Sequence, residues 1–245
     1  MEIHEIHKPK PWHSFREFLK EYGIIVLGVL TALALEQLVE SVHEQILRRE
    51  ARQAIEGEIS ENLDAFRRRA EIQPCIDARL REIETLLTST PLGANLPRPL
   101  WVGRPQVWTI NENRLQAATS GARTALLSAR EQADYGEVYN GFHVLDAAQN
   151  VEQLAWARLR TLETLSSLDS QTRWSLTEAL HQARYANFRI VIAGANSRDH
   201  AKAVGVRTER SPYGEGSRSV CVPMNTPRDQ ALKMTVIGRS PIAEP

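Results

Sequence analysis

The stretch that most constrains this chain is YGIIVLGVLTALALEQ at residues 22–37, where thirteen residues, Gly23 to Leu35, are apolar without a break before Glu36. As a helix they rise about 20 Å, short of the roughly 30 Å hydrocarbon core of a bilayer. Phe18 and Tyr22 extend the apolar surface on one side and Leu38 and Val39 on the other. Residues 18–39 therefore suit a short membrane span whose charged members sit near its ends, where long side chains snorkel to the interface. Ser14 with Glu17 has the form of a capping box, so the anchoring helix is expected over residues 14–40, preceded by a short tail at 1–13.

Two other readings of the run stand beside the anchor. Ala32-Leu33-Ala34 is an AxA pattern after which a signal peptidase would cut, and thirteen apolar residues also suit a buried core helix. Against cleavage, four acidic residues lie among the first 21, out of place in a signal-peptide n-region, and the helical pattern continues without a breaker. Lys8, Lys10, Arg16 and Lys20 precede the run, whereas the first Lys or Arg after it is Arg48. The positive-inside rule then gives a cytoplasmic N-terminus and an exported main domain. Gly28 and Ala32, with Glu36 on the same stripe, form a small-xxx-small pattern that lets two such helices approach closely, a candidate face for self-association.

Beyond the run, Leu38, Val42 and Ile46, then Ile55, Ile59, Leu63, Phe66 and Ala70 recur at spacings of three and four, the signature of an amphipathic helix. Ile59, Phe66, Leu80 and Leu87 keep one heptad phase across Pro74, which predicts a single kinked helix there and leaves a coiled coil open. Residues 91–108, PLGANLPRPLWVGRPQVW, are the clearest loop. Their Arg98, Trp101, Arg104 and Trp108 are either an exposed recognition surface or, for the two tryptophans, pins that hold the loop on the bundle.

Val107 to Ala118 predict a short helix broken near Gly121. Ser128 and Glu131 repeat the capping box before a long stripe of Tyr135, Val138, Phe142, Leu145, Ala155, Leu159, Leu162 and Leu165. Asp169 or Ser170 caps a further helix, with Trp174, His181, Tyr185, Phe188 and Ile192 as its expected core stripe and Gly205 at its close. The fold expected is all-α: a long anchoring helix continuing into an antiparallel bundle over residues 41–205, followed by an irregular Pro/Gly/Ser-rich tail at 206–245. Within that tail, Thr226 and Pro227 open a short helical turn. Cys75 and Cys221 are the only cysteines, and in an exported domain they are candidates for a bridge that staples the tail to the first helix.

No chemistry is legible. Thirty basic residues balance thirty acidic ones, so no overall field draws in nucleic acid. There is no GxSxG, phosphate-binding loop, GxGxxG or CxxC, and Glu178 with His181 is an ExxH step that is weak by itself, since carboxylate-bridged metal sites take paired ExxH steps with further glutamates from facing helices. No cofactor, metal or catalytic residue is assigned.

The stretches KEYGIIVLGVLTALALEQLVE at 20–40, CIDARLREIETLL at 75–87, LPRPLWVGRPQVW at 96–108 and ARYANFRI at 183–190 resemble a group of uncharacterised bacterial membrane-anchored proteins. The resemblance implies a bacterial inner-membrane protein with one N-terminal helix and a periplasmic helical domain, and it brings no activity with it. The leading function is a membrane-anchored interaction or scaffold protein that self-associates or meets a membrane-protein partner. The alternative is a bundle that binds or senses a small molecule in a pocket near Trp108, Tyr139, Trp156 or Trp174. The intact mass of protein recovered from washed native membranes, alkylated beforehand, is expected to be that of the full chain without alkyl adducts. A chain beginning at Leu35 would make it a secreted protein instead.

Overall fold

The computed structural model describes residues 15–120, 126–206 and 217–235. The 1–13 tail, the Ser14 cap, the break near Gly121 and tail residues 207–216 and 236–245 lie outside them. Among the described residues the fold is all-α, with helices α1 (Phe15–Glu71), α2 (Gln73–Ser89), α3 (Asn113–Thr119), α4 (Ala129–Leu159), α5 (Ser170–Ala203) and α6 (Arg228–Thr235). Short 3₁₀ turns at Arg160–Glu163 and Ser219–Cys221 complete it. The chain divides into two compact units, Met1–Glu50 and Ala51–Pro245.

The first unit contains the apolar part of α1, long and apolar enough to cross a membrane and with none of its apolar window buried. An exposed apolar segment of this length is compatible with a membrane anchor. Ile24, Ile25, Leu27, Leu30 and Leu33 are all exposed, and Phe18 stacks between Phe15 and Tyr22 at its start.

In the second unit, Ile55, Ile59, Leu63 and Phe66 of α1 are buried as their spacing requires. The single kinked helix expected through Pro74 is instead two helices with Ile72 between them. Proline has no N–H to continue the ladder and sits in the first turn of α2, where none is needed. The Cys75 and Ile76 N–H groups both donate to the Ile72 carbonyl at 3.1 Å and start the new helix. Ile72, Ile76, Leu80, Ile83 and Leu87 then form its buried stripe.

Helices α4 and α5 run antiparallel along a seam of small residues. On α5 these are Ala179, Ala183, Ala186, Ala193, Gly194, Ser197 and Ala201, all buried, with the buried Ile190 filling the step of seven between Ala186 and Ala193. A Cβ on Gly141 of α4 would fall 1.9 Å from Ser197 Oγ, and one on Gly194 would fall 2.5 Å from the Phe66 ring. This seam corrects the expected core stripe of α5. Trp174 is 68% exposed, Tyr185 60% and Phe188 58%, with Ile192 also outside, because the small-residue face is the one that lets α4 come close.

The cap on α4 is the expected box: the Glu131 N–H donates to Ser128 Oγ at 3.2 Å and the Ser128 N–H donates to Glu131 Oε2 at 2.8 Å. Asp169 caps α5, accepting the Thr172 N–H at 2.6 Å, and Gly205 closes it at a φ of +83°. Burial pushes the Glu131 carboxyl up, but the Ser128 donors and the Arg52 guanidinium outweigh it and hold the pKa below its ordinary 4.5. That stabilisation is complete above pH 4.5 and is lost as pH falls through the depressed folded value. Ser128→Ala is expected to cost about 1 kcal/mol in urea melts at pH 7, with the cost shrinking in acid below that value as Glu131 takes up its proton.

Candidate functional site

Loop 91–112 carries the residues singled out as a recognition surface, and buried polar side chains determine its path. The Gln149 amide accepts the Trp108 N–H at 2.7 Å and donates to the Trp108 carbonyl at 3.0 Å. Asn62 does the same for Asn111, at 3.1 and 2.7 Å. Two side-chain amides thus satisfy the main chain much as a neighbouring strand would, and the helix expected from Val107 begins only at Asn113. The Glu58 carboxylate caps α3 by accepting the Arg114 N–H and also accepts the Tyr139 hydroxyl. Burial and that carboxylate push the Tyr139 pKa upward, so it stays a neutral donor.

Trp101 and Trp108 are pins. Trp101 is buried against Val222 and Ala231, and its indole N–H donates to the Ser219 carbonyl at 2.9 Å. Trp108 lies under the Arg68 guanidinium, 4.8 Å from its ring centre, and Arg68 is in turn held by the buried Asp64. Arg98 and Arg104 remain exposed. The four loop candidates therefore divide into two pins and two surface cations.

The bridge between Cys75 and Cys221 is present, its sulfurs 2.12 Å apart, and it closes a sequence separation of 146 residues. Loop entropy for such a closure sets an upper figure of about 5 kcal/mol. Beside it Arg79, buried on α2, donates to the carbonyls of Trp101, Val102 and Val222. Burial lowers its pKa, and Glu82 at 2.8 Å offsets part of that. The disulfide and this arginine together join α2, the loop and the C-terminal segment, so residues 217–235 of the expected irregular tail pack on the bundle through Val220, Val222 and Ala231.

A second buried cation, Arg69, meets Glu152 and donates to Asn187 Oδ1 at 2.8 Å. Burial lowers the Arg69 pKa and raises that of Glu152, each against the pull of its partner. This pair lies where α1, α4 and α5 meet. Sequence reading passed over Glu58, Asn62, Arg69, Arg79, Gln149 and Glu152, because a polar residue on an amphipathic helix carries no sign that it faces inward. The one available signal was the i, i+4 spacing of Glu58 and Asn62 just ahead of Phe66 and Arg69.

Of the residues proposed around a ligand pocket, Trp156 belongs to the core cluster of α2, α4 and α5, and Tyr139 to the cluster around Phe66 and Phe142. Trp108 lies in the loop and Trp174 faces outward. They do not converge on a common cavity. Gly28, Ala32 and Glu36 share one exposed face of α1, and a Cβ on Gly28 would meet nothing within 4 Å.

Compared with protein-family models, curated proteins and solved structures, the chain matches none of them.

Gly103 has a φ of +69°, and a Cβ there would fall 2.4 Å from the Ser219 carbonyl oxygen. Gly103→Ala is expected to cost about 1–3 kcal/mol and to part the loop from the C-terminal segment. Limited chymotrypsinolysis checks this through faster cleavage after Leu100 and Trp101.

Proposed function

We propose that the protein is a membrane-tethered helical interaction protein that associates with a second copy of itself through the outward face of α5. The observation that carries this reading is the apolar stripe directly opposite the small-residue seam. Positions 174, 178, 181, 185, 188, 192 and 195 alternate steps of four and three, the spacing of a coiled-coil seam, and hold Trp, Glu, His, Tyr, Phe, Ile and Ala. Trp174, Tyr185, Phe188 and Ile192 together expose on the order of a few hundred Å² of apolar surface, at the level where such patches mark interaction sites. Glu178 and His181 among the knobs are the polar positions that set register in such seams.

The tether supports this reading in energetic terms. Copies held in one membrane meet at a raised effective concentration, so a seam of modest area suffices. The bacterial inner membrane with the N-terminus in the cytoplasm and the main domain in the periplasm is the setting proposed. The basic residues before the apolar run favour that orientation, and a disulfide persists in an oxidising compartment.

Full-length protein in a non-ionic detergent is expected to sediment as a dimer. Tyr185→Glu with Phe188→Glu is expected to weaken dimerisation by at least about tenfold while leaving the helical content of the monomer unchanged. If the double variant dimerises as the parent does and Gly28→Leu with Ala32→Leu abolishes the dimer, the anchor face carries the association and the α5 seam does not.

A further inference from the structure

The line where loop 91–112 meets the C-terminal segment holds a cavity of about 430 Å³, within the range of small-molecule sites. Its walls come from three distant parts of the chain, with Arg104 on the loop, Arg160 at the end of α4 and Arg228 at the start of α6. None of the described residues that line it is acidic. Arg160 is answered from behind the wall by Glu163 at 3.5 Å, a carboxylate that also accepts the Val102 N–H at 2.9 Å. Arg104 donates to the neutral amide of Gln153, and neither Arg104 nor Arg228 has a carboxylate partner among the described residues. Two guanidinium charges are therefore uncompensated around one concavity.

The cavity is held open by its framework. The close approach of Gly103 to the Ser219 carbonyl and the Trp101 indole bond to the same oxygen tie the two walls together. Ser219 is two residues from the Cys75–Cys221 bridge. Ser217, Ser219 and Thr235 add hydroxyl groups to the lining, while Val107 and Leu232 add a small apolar surface. Guanidinium groups match carboxylate and phosphate oxygens with paired, charge-assisted hydrogen bonds, and hydroxyls bond the oxygens left over.

We infer that this cavity binds a small organic dianion, a dicarboxylate or a phosphate monoester, with Arg104 and Arg228 as its counter-charges and Arg160 fixed by Glu163 as one wall. The inference is independent of self-association, because the α5 seam contributes no residue to the cavity.

Titration calorimetry on the full-length protein in non-ionic detergent tests it, with succinate and inorganic phosphate as probes and chloride at matched ionic strength as control. Saturable binding of one ion per chain is expected for at least one probe and not for chloride. Succinate alone binding identifies the dicarboxylate source and phosphate alone the phosphate source. Arg228→Gln and Arg104→Gln are each expected to weaken binding by at least about tenfold, with melting temperatures unchanged in the absence of ligand. Arg98→Gln, which removes an exposed cation of the same loop outside this cavity, is expected to leave binding unchanged. Absence of saturable binding to either probe, or equal loss in Arg98→Gln, would overturn the inference.

Discussion

The close approach of α4 and α5 is the constraint on which the rest of the second unit depends. Alanine, glycine and serine line the seam, so the two backbones come near enough that Gly141 has no room for a side chain beside Ser197. A helix has one face for its nearest neighbour, and here the small face wins because close contact over many positions recovers more dispersion energy than a few large knobs held at a distance. The large residues of α5 are thereby turned outward, and the surface proposed for self-association follows from the way the core is packed.

Where the chain leaves helical geometry, buried polar groups and one covalent link do the work that a hydrogen-bond ladder does elsewhere. Asn62 and Gln149 take up the main chain of the loop before α3, Arg79 gathers three carbonyls from two segments, and Cys75–Cys221 joins α2 to the C-terminal segment. Each buried group has a high cost if left unpaired, which makes the loop path specific. Arg69 and Glu152 form a buried charged pair in the helical core. Replacing such a pair with apolar residues is often neutral, while removing one partner is not, so the pair acts on specificity of packing more than on net stability.

Three features divide the functional possibilities among separate parts of the chain. The apolar part of α1 is compatible with a membrane anchor, the outward face of α5 is the face proposed for self-association, and the arginine-lined cavity is the site proposed for a small anion. The cavity draws on Arg104 and Trp101, both prominent in the sequence, yet its other cations, Arg160 and Arg228, are 56 and 124 positions from Arg104 in the chain. Only the disulfide-bound fold of the C-terminal segment brings them together.

Local chemistry by itself determined the helical class, the caps at Ser128 and Asp169, the stop at Gly205, the buried stripe of α4 and the pairing available to two cysteines. Those signals act within a few residues, so they survive without knowledge of neighbours. The core face of α5, the extended path of residues 107–112, the break at Ile72 and the inward polar residues of α1 were decided by tertiary structure. In each case two local patterns were admissible, an aromatic stripe or a small one, a helix or a clasped loop, a kink or a break, an outward polar residue or an inward one. The choice between them depended on which partner lay opposite, a distance that only the folded chain contains.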